Sequence, residues 1–332
     1  MTDLSIIFTT WNSLNHITRC IESILPLDMG SFETIVVDSN STDGTKEYLE
    51  ALSHSPEGSR LGLQVLLIDR RIKWSEANQI GLDHSKGEWI CLSNPDIVFN
   101  ECFPKMVESC SRSNALVAAP QLISPDGSLQ GPLRIVTPRV FFLSSTRTGG
   151  LIRRVAGGWV PSYSVHYEWN GEDPVQVDSL VGSFFMVHRR VLSLFGGKLW
   201  NAGYLNGVSD LDAFLNFKRH RIPVKLFPSC RLVHHSSHAT KKDPYWIEYD
   251  QSYGIVLYFR YWKMSPRLCT LILGIEGILA VPLEAILKIA KPREPFFNPK
   301  LRAWRAGQRL LGLLDGWRFR VDSDRSHKKT TS

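Results

Sequence analysis

Carboxylate and histidine side chains stand at the ends of several apolar runs in this chain, where they could bind a ligand. The clearest case is the apolar run 89–92, which stops at Pro95 and Asp96. Proline cannot donate to a sheet ladder, so we expect a strand to end near Asn94 and Asp96 to lie on the following loop. In open α/β sheets ligands bind beyond the carboxyl ends of the strands. This loop is therefore a candidate binding site, and a turn-forming aspartate is the plainer alternative.

Polar side chains also follow the other apolar runs that we interpret as strands. The runs and their polar groups are 4–9 with Thr9 and Trp11, 34–37 with Asp38 and Asn40, 64–68 with Arg70 and Arg71, and 224–233 with His234. A further carboxylate, Asp210, lies in the first turn of a predicted helix over 209–220. A negative charge is favourable at that end of a helix.

Strands that alternate with helices indicate the fold class. Apolar residues at helical spacing follow the first strand over 14–24 and the third over 75–84. Strands joined by crossover helices lie parallel, so we predict an α/β fold with a mostly parallel sheet. No Gly-x-Gly-x-x-Gly follows the first strand, which argues against a dinucleotide-dependent dehydrogenase.

The composition is that of a globular protein. The chain has 332 residues, 43% hydrophobic and 21% charged, which is enough for a large core without crosslinks. Its six cysteines form no Cys-x-x-Cys pair, and Cys20 and Cys91 lie in apolar patterns. We therefore expect reduced, buried thiols in a cytosolic protein, with neither a disulfide framework nor a zinc site. No signal peptide is predicted ahead of the first strand.

Positive charge is concentrated near the C-terminus. The net charge is +7, but residues 288–329 contain twelve Lys and Arg against four acidic residues, an excess of eight, which leaves −1 for the rest. A nearly neutral body with a basic tail differs from a protein that is basic over its whole surface. We therefore predict no nucleic-acid partner.

The segments that carry these polar residues resemble glycosyltransferase family 2. They are Ser5–Asn12, Val36–Thr45, Glu76–Gly81 with Gly87–Trp89, Ser93–Asp96, Ser209–Asp212 and Val233–His235. The resemblance covers about residues 4–240 and extends in particular to the branch with rhamnosyltransferases of cell-wall and O-antigen assembly. It implies the GT-A fold, with a nucleotide-sugar half over about 1–100 and an acceptor half over about 101–240. Two positions depart from the family pattern: Ser209 replaces a glutamate, and 70–74 lacks the usual Asn-x-Gly-Phe sequence.

The resemblance implies roles for the strand-end residues. Asp96 would hold Mg²⁺ or Mn²⁺, with His234 as a second contact, because a hard cation neutralises the charge of a departing diphosphate. Contacts to a nucleotide-diphosphate sugar would come from Thr9, Trp11, Asp38, Asn40, Arg70, Arg71, Asn94 and Asp96. Trp11 would stack on a pyrimidine, and Asp38 would accept a hydrogen bond from the base or ribose. The plainer alternatives are core packing for Trp11, a turn at Asp38 and a structural His234.

Asp210 is expected to act as the general base that takes a proton from an acceptor hydroxyl. A single base acting opposite the leaving group gives inversion at the anomeric carbon, and no second carboxylate is needed as a nucleophile. Contacts to the acceptor are expected from Gly182, Ser183, Trp200 and Asp212. The alternatives are a charge that stabilises the helix N-terminus at Asp210 and a structural acid at Asp212.

The family pattern ends near residue 240. Residues 268–283 are apolar but interrupted by Pro282, which makes them too short for a membrane span of about 20 residues. Residues 299–321 mix leucine and tryptophan with arginine, as in interfacial helices that bind anionic lipid. We predict a helical, membrane-associating extension over 241–322, contacting an anionic membrane surface through 268–321, and a disordered tail over 323–332. Packing on the catalytic domain or in an oligomer is the alternative.

Together these inferences predict an inverting, metal-dependent glycosyltransferase, peripheral on the cytoplasmic face of the cell membrane. The acceptor would be a lipid-linked saccharide or a polysaccharide, and the donor, from the resemblance alone, dTDP-rhamnose. One alternative is a UDP-hexose or UDP-N-acetylhexosamine donor. A catalytically silent GT-A scaffold is a second alternative, which Ser209 keeps open. A nucleic-acid binder is a third, supported only by the charge of the tail, and a homo-oligomer is also allowed for.

Overall fold

A mixed sheet carries the candidate residues. The structure is a computed structural model that describes residues 3–113, 115–145, 149, 155, 171–235, 244–290 and 299–321. Its strands in these ranges are β1 (Leu4–Thr10), β2 (Phe32–Ser39), β3 (Leu63–Ile68), β4 (Trp89–Ser93), β5 (Ile97–Val98), β6 (Val117–Ile123), β7 (Leu129–Gln130), β8 (Val175–Gln176), β9 (Phe184–His188) and β10 (Val224–His234). They are ordered β3-β2-β1-β4-β9-β6-β10-β5, with β7 beside β6 and β8 beside β10.

The sheet is mostly parallel, as predicted. β1 pairs in parallel with β2 and β4, β2 with β3, and β6 with β10, whereas β9 runs antiparallel between β4 and β6. Residues 4–8 of β1 are all buried, as expected for a central parallel strand covered on both faces. Gly87 leads into β4 so close to β1 that a Cβ atom there would lie 2.4 Å from the Ser5 nitrogen. Only glycine fits at that approach.

Helices follow most of the strands. In the described ranges they are α1 (Leu14–Ile24), α2 (Thr45–Ser53), α3 (Pro56–Arg60), α4 (Trp74–His84), α5 (Cys102–Arg112), α6 (Pro138–Ser145), α7 (Arg189–Leu194), α8 (Ser209–Arg219), α9 (Pro244–Tyr261), α10 (Pro266–Ala290) and α11 (Pro299–Arg318). The described residues form two compact units, one within 1–134, 164–200 and 213–238, and the other within 135–163, 201–212 and 239–332. Residues 201–212, which we expected in the acceptor half, thus group with the C-terminal helices. The predicted domain limits stay a prediction.

The C-terminal helices pack on one another within the second unit. The Arg309 guanidinium donates to the Glu248 carboxylate at 2.7 Å, and the Tyr249 hydroxyl donates to Asp315 at 3.0 Å. These contacts join α9 to α11. Among the described helices, none combines the length and apolar character that a membrane span requires. The predicted tail over 323–332 lies outside the described residues.

Three local expectations from the sequence are corrected. The apolar residues within 176–188 predict a strand that bends at Gly182, but the structure has two separate strands there, the short β8 and β9. Residues 137–160 are rich in Arg, Gly and Ser, which predicts a mobile loop. Within this range 138–145 form α6 instead, and most of the remaining residues lie outside the described ranges. Pro282, expected to break its apolar segment, lies inside α10. Proline disrupts a helix by the loss of one hydrogen bond and a clash one turn earlier, which a long helix can absorb as a kink.

The expectation that every cysteine is a free thiol is wrong for two of the six. Cys102 and Cys230 form a disulfide, with Cα atoms 5.1 Å apart, a separation suited to the bond. They are 128 residues apart in sequence, so no spacing signal could reveal that α5 begins beside β10. The remaining cysteines, Cys20, Cys91, Cys110 and Cys269, are free and buried, as predicted.

Candidate active site

Asp96 and His234 are brought together by the pairing of β5 with β10. In this antiparallel pair Ile97 faces His234, and the His235 backbone nitrogen donates to the Asp96 carbonyl oxygen at 3.0 Å. β4 ends at Ser93, and the Asn94 backbone nitrogen donates to the Ser183 carbonyl oxygen at 2.8 Å. The chain therefore leaves the sheet where Pro95 was expected to end the strand. Asp96 begins the return segment beside the end of β10.

The Asp96 and His234 side chains face each other in a buried position. They are 9% and 6% exposed, and the His234 Nε2 atom lies 3.3 Å from the Asp96 Oδ1 atom. Oδ1 accepts no hydrogen bond from the described part of the chain. Burial raises the pKa of Asp96, but His234, with His16 adding to it, outweighs burial and holds this pKa below its ordinary value. Asp96 is therefore a carboxylate at neutral pH, buried and short of hydrogen-bond donors.

His234 is held on its other side by Gln130. Its Nδ1 atom lies 2.6 Å from the Gln130 Oε1 atom and 3.4 Å from the Ser183 hydroxyl. Ser183, predicted to contact the acceptor, therefore borders the Asp96–His234 pair. Gly182 beside it is half-buried. No group of three or more His, Cys, Asp or Glu side chains that could hold a metal occurs within the described ranges.

The turns after β1 and β2 interlock through Asp38. This carboxylate is fully buried and accepts from the Thr10 hydroxyl at 2.7 Å and from the Ser41 backbone nitrogen and hydroxyl at 2.8 and 2.6 Å. Asn40 adopts a positive φ of 55° and accepts from the Lys46 ammonium group at 2.6 Å. Asp38 therefore shapes the turn that bears Asn40. Its burial favours the turn interpretation over direct contact with a base.

Aromatic and basic side chains flank these turns. The Arg71 guanidinium lies 3.6 Å above the centre of the Trp11 ring, which leaves Trp11 half-buried and engaged with a cation. Arg70 is exposed and pairs with Glu76. Thr9, also predicted here, is half-buried at the end of β1.

Trp200 packs near the end of β4 through Trp74. The two rings lie 5.6 Å apart, and the Trp74 indole nitrogen lies 3.3 Å from the Asn94 side-chain oxygen, to which it donates. Trp200 is only 9% exposed. The structure thus brings Asn94, Asp96, Ser183, Trp200 and His234 to one end of the sheet.

Asp212, predicted to contact the acceptor, is buried and surrounded by donors. Its carboxylate accepts from the Asn201 backbone nitrogen at 2.7 Å, the Asn201 side chain at 3.0 Å, the Tyr204 hydroxyl at 3.1 Å and the Trp262 indole nitrogen at 2.6 Å. Burial raises the pKa of Asp212 above its ordinary value despite these donors. This geometry favours the structural alternative.

The residues just before Asp210 are held by α9. Asp250 accepts from the backbone nitrogens of Asn206 and Gly207 at 3.2 and 2.9 Å. Val208 has a φ of +71°, which is strained for a β-branched residue. A Cβ atom at Gly254 would lie 2.9 Å from the Val208 side chain, so the glycine makes room for it. Asp210 itself is half-buried in the first turn of α8.

Comparison with known proteins identifies the family. Residues 5–192, more than half of the chain, match the family described as glycosyl transferase family 2. The chain belongs to this family. The structure of GalNAc-T7 with UDP, GalNAc and Mn²⁺ is similar, with a TM-score of 0.57 and 14% identity over 92% of this chain and 55% of that one. This likeness confirms the predicted GT-A fold.

Two relatives of known sequence are similar to parts of the chain. The uncharacterized protein y4gI of Sinorhizobium fredii is 33% identical over 131 residues, which are 38% of this chain and 14% of the relative's length. The N-acetylglucosaminyl-diphospho-decaprenol L-rhamnosyltransferase of Mycobacterium tuberculosis is 23% identical over 257 residues, 74% of this chain and 80% of that protein. The chain thus spans a small part of the first relative and most of the second.

Ser209, one of the two departures from the family 2 pattern, is fully buried at the start of α8. Its hydroxyl has no hydrogen-bond partner among the described residues. A glutamate at this buried position would need an oppositely charged or hydrogen-bonding partner. Sequence reasoning missed Gln130, Asp250 and Trp262, which lie far in sequence from the residues they contact. The sequence Pro125-Asp126-Gly127 predicts a turn, and this turn is the one local signal for the hairpin that carries Gln130.

Proposed function

We propose that this protein is an inverting, metal-dependent glycosyltransferase that uses a nucleotide-diphosphate sugar. The observation that carries the proposal is the buried pair formed by Asp96 and His234, whose Oδ1 and Nε2 atoms lie 3.3 Å apart. A buried carboxylate oxygen without a donor suits a cation, so the residues present fit a divalent metal. Membership of family 2 and the GT-A fold support the same activity.

Asp96 and His234 would hold the cation, Mg²⁺ or Mn²⁺, and oxygens of the diphosphate and water would complete its coordination. When bound, such a cation supplies positive charge against the diphosphate as it leaves. Arg71, stacked on Trp11, is proposed to contact the nucleotide or its diphosphate, and Thr9, Arg70, Asn40 and Asn94 to line the same pocket. Asp38 would act by fixing the turn rather than by touching the base.

Asp210 is proposed as the general base. The helix dipole favours a negative charge in the first turn of a helix, and a carboxylate there can accept the proton of an acceptor hydroxyl as the new bond forms. Asp212, Asp250 and the strained Val208 hold the segment around it. One base and no covalent intermediate give inversion at the anomeric carbon.

The test is the substitution Asp210→Asn. Removal of a general base costs about 10²- to 10⁴-fold in turnover, whereas thermal stabilisation by nucleotide and Mn²⁺ should be unchanged. Asp178→Asn, at an exposed carboxylate paired with Lys218, is the matched control and should leave turnover intact. A catalytically silent scaffold would show no turnover to lose, and full activity of Asp210→Asn would exclude Asp210 as the base.

The proposed donor is dTDP-rhamnose and the proposed acceptor a lipid-linked saccharide or polysaccharide. The relative that spans most of this chain is an L-rhamnosyltransferase that acts, by its name, on a diphospho-decaprenol. UDP-hexoses and UDP-N-acetylhexosamines are the alternative donors. A panel of dTDP-rhamnose, UDP-glucose and UDP-N-acetylglucosamine, each assayed for Mn²⁺-dependent hydrolysis and transfer, would decide. Preference for a UDP-sugar would overturn the rhamnose assignment and leave the family 2 chemistry standing.

We also propose that the protein docks on an anionic membrane surface, chiefly through α10. This helix carries a stripe of exposed apolar residues, each 46 to 62% exposed: Leu268, Leu271, Ile275, Ile278, Leu279 and Ile286. The stripe is about 27 Å long at 1.5 Å per residue. Exposed Lys263 and Arg267 lie at its N-terminal end. Apolar residues beside cations fit the interface of a bilayer with anionic lipid.

The sequence pattern favours residues 299–321 as the lipid-binding segment, whereas the exposed apolar stripe favours α10. Vesicle flotation with phosphatidylglycerol against phosphatidylcholine would test it, with Leu271→Glu and Ile278→Glu combined as the variant. Binding to anionic vesicles should be lost in this variant and kept in Leu194→Glu, a similarly exposed leucine of α7. Equal flotation of both variants would exclude α10 as the docking surface. Self-association that the variant abolishes would identify the stripe as an oligomer contact instead. The predicted homo-oligomer stays a prediction.

A further inference from the structure

Gln130 lies beside the proposed metal site, and its hydrogen-bond partners allow only one orientation of its side-chain amide. The residue ends the two-residue strand β7, which pairs with Leu122 and Ile123 of β6. Its Nε2 atom donates to the His234 carbonyl oxygen at 3.0 Å and to the Ser124 hydroxyl at 2.9 Å. A backbone carbonyl can only accept, so the nitrogen of the amide is identified by its partner. The Oε1 atom must then face His234.

This orientation determines which nitrogen of His234 carries the proton. Oε1 can only accept, and it lies 2.6 Å from Nδ1, so Nδ1 must donate. The Ser183 hydroxyl, which could donate to Nδ1, lies farther away at 3.4 Å. In a neutral imidazole the other nitrogen then carries a lone pair. The lone pair of Nε2 is the one that faces Asp96.

In the neutral imidazole, two electron-pair donors consequently face each other without a hydrogen between them, whereas an imidazolium would donate from Nε2 to Asp96. Nε2 and the Asp96 Oδ1 atom are 3.3 Å apart, and Oδ1 accepts no hydrogen bond within the described chain. Such an arrangement is unfavourable when it is empty and favourable when a cation lies against both atoms. Histidines that bind metals generally donate their second ring N–H to an oxygen, which sets the tautomer.

We propose that Gln130 is a positioning residue that fixes His234 as the Nδ1–H tautomer, so that Nε2 and Asp96 are ready to bind a divalent cation. The proposal deepens the proposed function and rests on its metal dependence. The competing explanation is that Gln130 only anchors the β6–β7 hairpin. Gln121 helps to separate the two, because its side chain donates to the carbonyl oxygens of Leu122 and Gln130 at 2.8 and 3.3 Å and makes no hydrogen bond to His234 within the described residues.

The first measurement is the tautomer of His234 in the metal-free, full-length protein. Nitrogen-15 NMR with labelled histidine distinguishes a protonated from an unprotonated ring nitrogen, and the signals of His234 are those lost in His234→Gln. We expect Nδ1–H in the unmodified chain and in Gln121→Leu, and a loss of this preference in Gln130→Leu. An Nε2–H tautomer, or an imidazolium with protons on both ring nitrogens, in the unmodified chain would overturn the proposal.

The second measurement is the affinity for Mn²⁺ alone, by electron paramagnetic resonance of the free ion. Gln130→Leu should weaken binding about 10- to 100-fold, the usual effect of losing such an outer hydrogen bond. Gln121→Leu should keep the affinity. Unchanged binding in Gln130→Leu, or an equal loss in Gln121→Leu, would overturn the proposal. If the unmodified chain bound no Mn²⁺, the metal dependence in the proposed function would fail as well, so the two failures are distinguishable.

Discussion

Asp96 and Asp212 are both buried carboxylates, but their surroundings are opposite. Asp212 accepts hydrogen bonds from a backbone nitrogen, an amide, a phenol and an indole. Asp96 has a histidine 3.3 Å away and an Oδ1 atom that no donor in the described chain satisfies. A carboxylate saturated by neutral donors stabilises the fold, whereas a buried carboxylate left short of donors is suited to an external cation.

The pKa shifts of the two carboxylates also differ in direction. Burial raises the pKa of Asp212, and its neutral donors do not fully offset that effect. For Asp96 burial acts in the same sense, but the adjacent His234 and the nearby His16 reverse the balance and lower the pKa. The adjacent histidines therefore separate the ligand-like aspartate from the structural one, although both are hidden from solvent.

Substitution of Asp96 should have the largest effect of the changes that separate the two carboxylates. Asp96→Asn removes the anionic ligand, and the loss of several kcal/mol of charge stabilisation corresponds to about a 10³-fold fall in turnover. The melting temperature without metal should change little. Asp126→Asn, in the exposed turn where Asp126 accepts from Ser128 at 2.7 Å, is the control and should keep full activity. Metal-dependent turnover at the normal rate in Asp96→Asn would exclude a metal at this carboxylate.

Substitution of Asp212 should instead act on stability. Asp212→Ala leaves the donors of Asn201, Tyr204 and Trp262 buried without an acceptor, and each unsatisfied group costs about 1–3 kcal/mol. We expect a decrease of at least about 3 kcal/mol in the free energy of unfolding, measured by urea denaturation. Asp178→Ala, which breaks an exposed ion pair, should cost less than about 1 kcal/mol. If Asp212→Ala kept the free energy of unfolding of the unmodified chain but lost acceptor binding, the sequence prediction of an acceptor contact would be correct.

A single donor to Asp212 should contribute much less. Trp262→Phe keeps most of the buried ring and removes the indole nitrogen that donates to Asp212 at 2.6 Å. The free energy of unfolding should fall by about 1–2 kcal/mol, because the other donors still satisfy the carboxylate. An unchanged free energy of unfolding in Trp262→Phe would mean that the hydrogen bond to Asp212 adds nothing.

The sequence predicted the parts of this comparison that depend on local pattern. The strand ending near Asn94, the loop position of Asp96 and the helix that begins near Asp210 all follow from apolar runs and breakers. Gln130, Trp262 and the Cys102–Cys230 disulfide could not be predicted, because each depends on contacts between residues 50 to 128 positions apart. The difference between Asp96 and Asp212 could not be predicted either, because it also depends on contacts between residues far apart in sequence. Both are aspartates in polar segments, and only the folded chain shows which one has donors.

The smallest expected effect is on the pH dependence of the free energy of unfolding, and its sign follows from the direction of the pKa shift of Asp212. The folded pKa of Asp212 is raised, so the folded chain holds a proton that the unfolded chain has already released. The contribution to stability is then fully present below the unfolded pKa of about 3.9 and is lost as pH rises through the folded pKa. Asp212→Asn cannot titrate, so its free energy of unfolding should lack this decline relative to the unmodified chain. Asp96, with a lowered pKa, contributes in the opposite sense, losing stability as pH falls through its folded value. If the free energies of unfolding of the unmodified chain and of Asp212→Asn changed in parallel from acidic to neutral pH, Asp212 would not titrate in that range. The electrostatic contrast with Asp96 would then be lost.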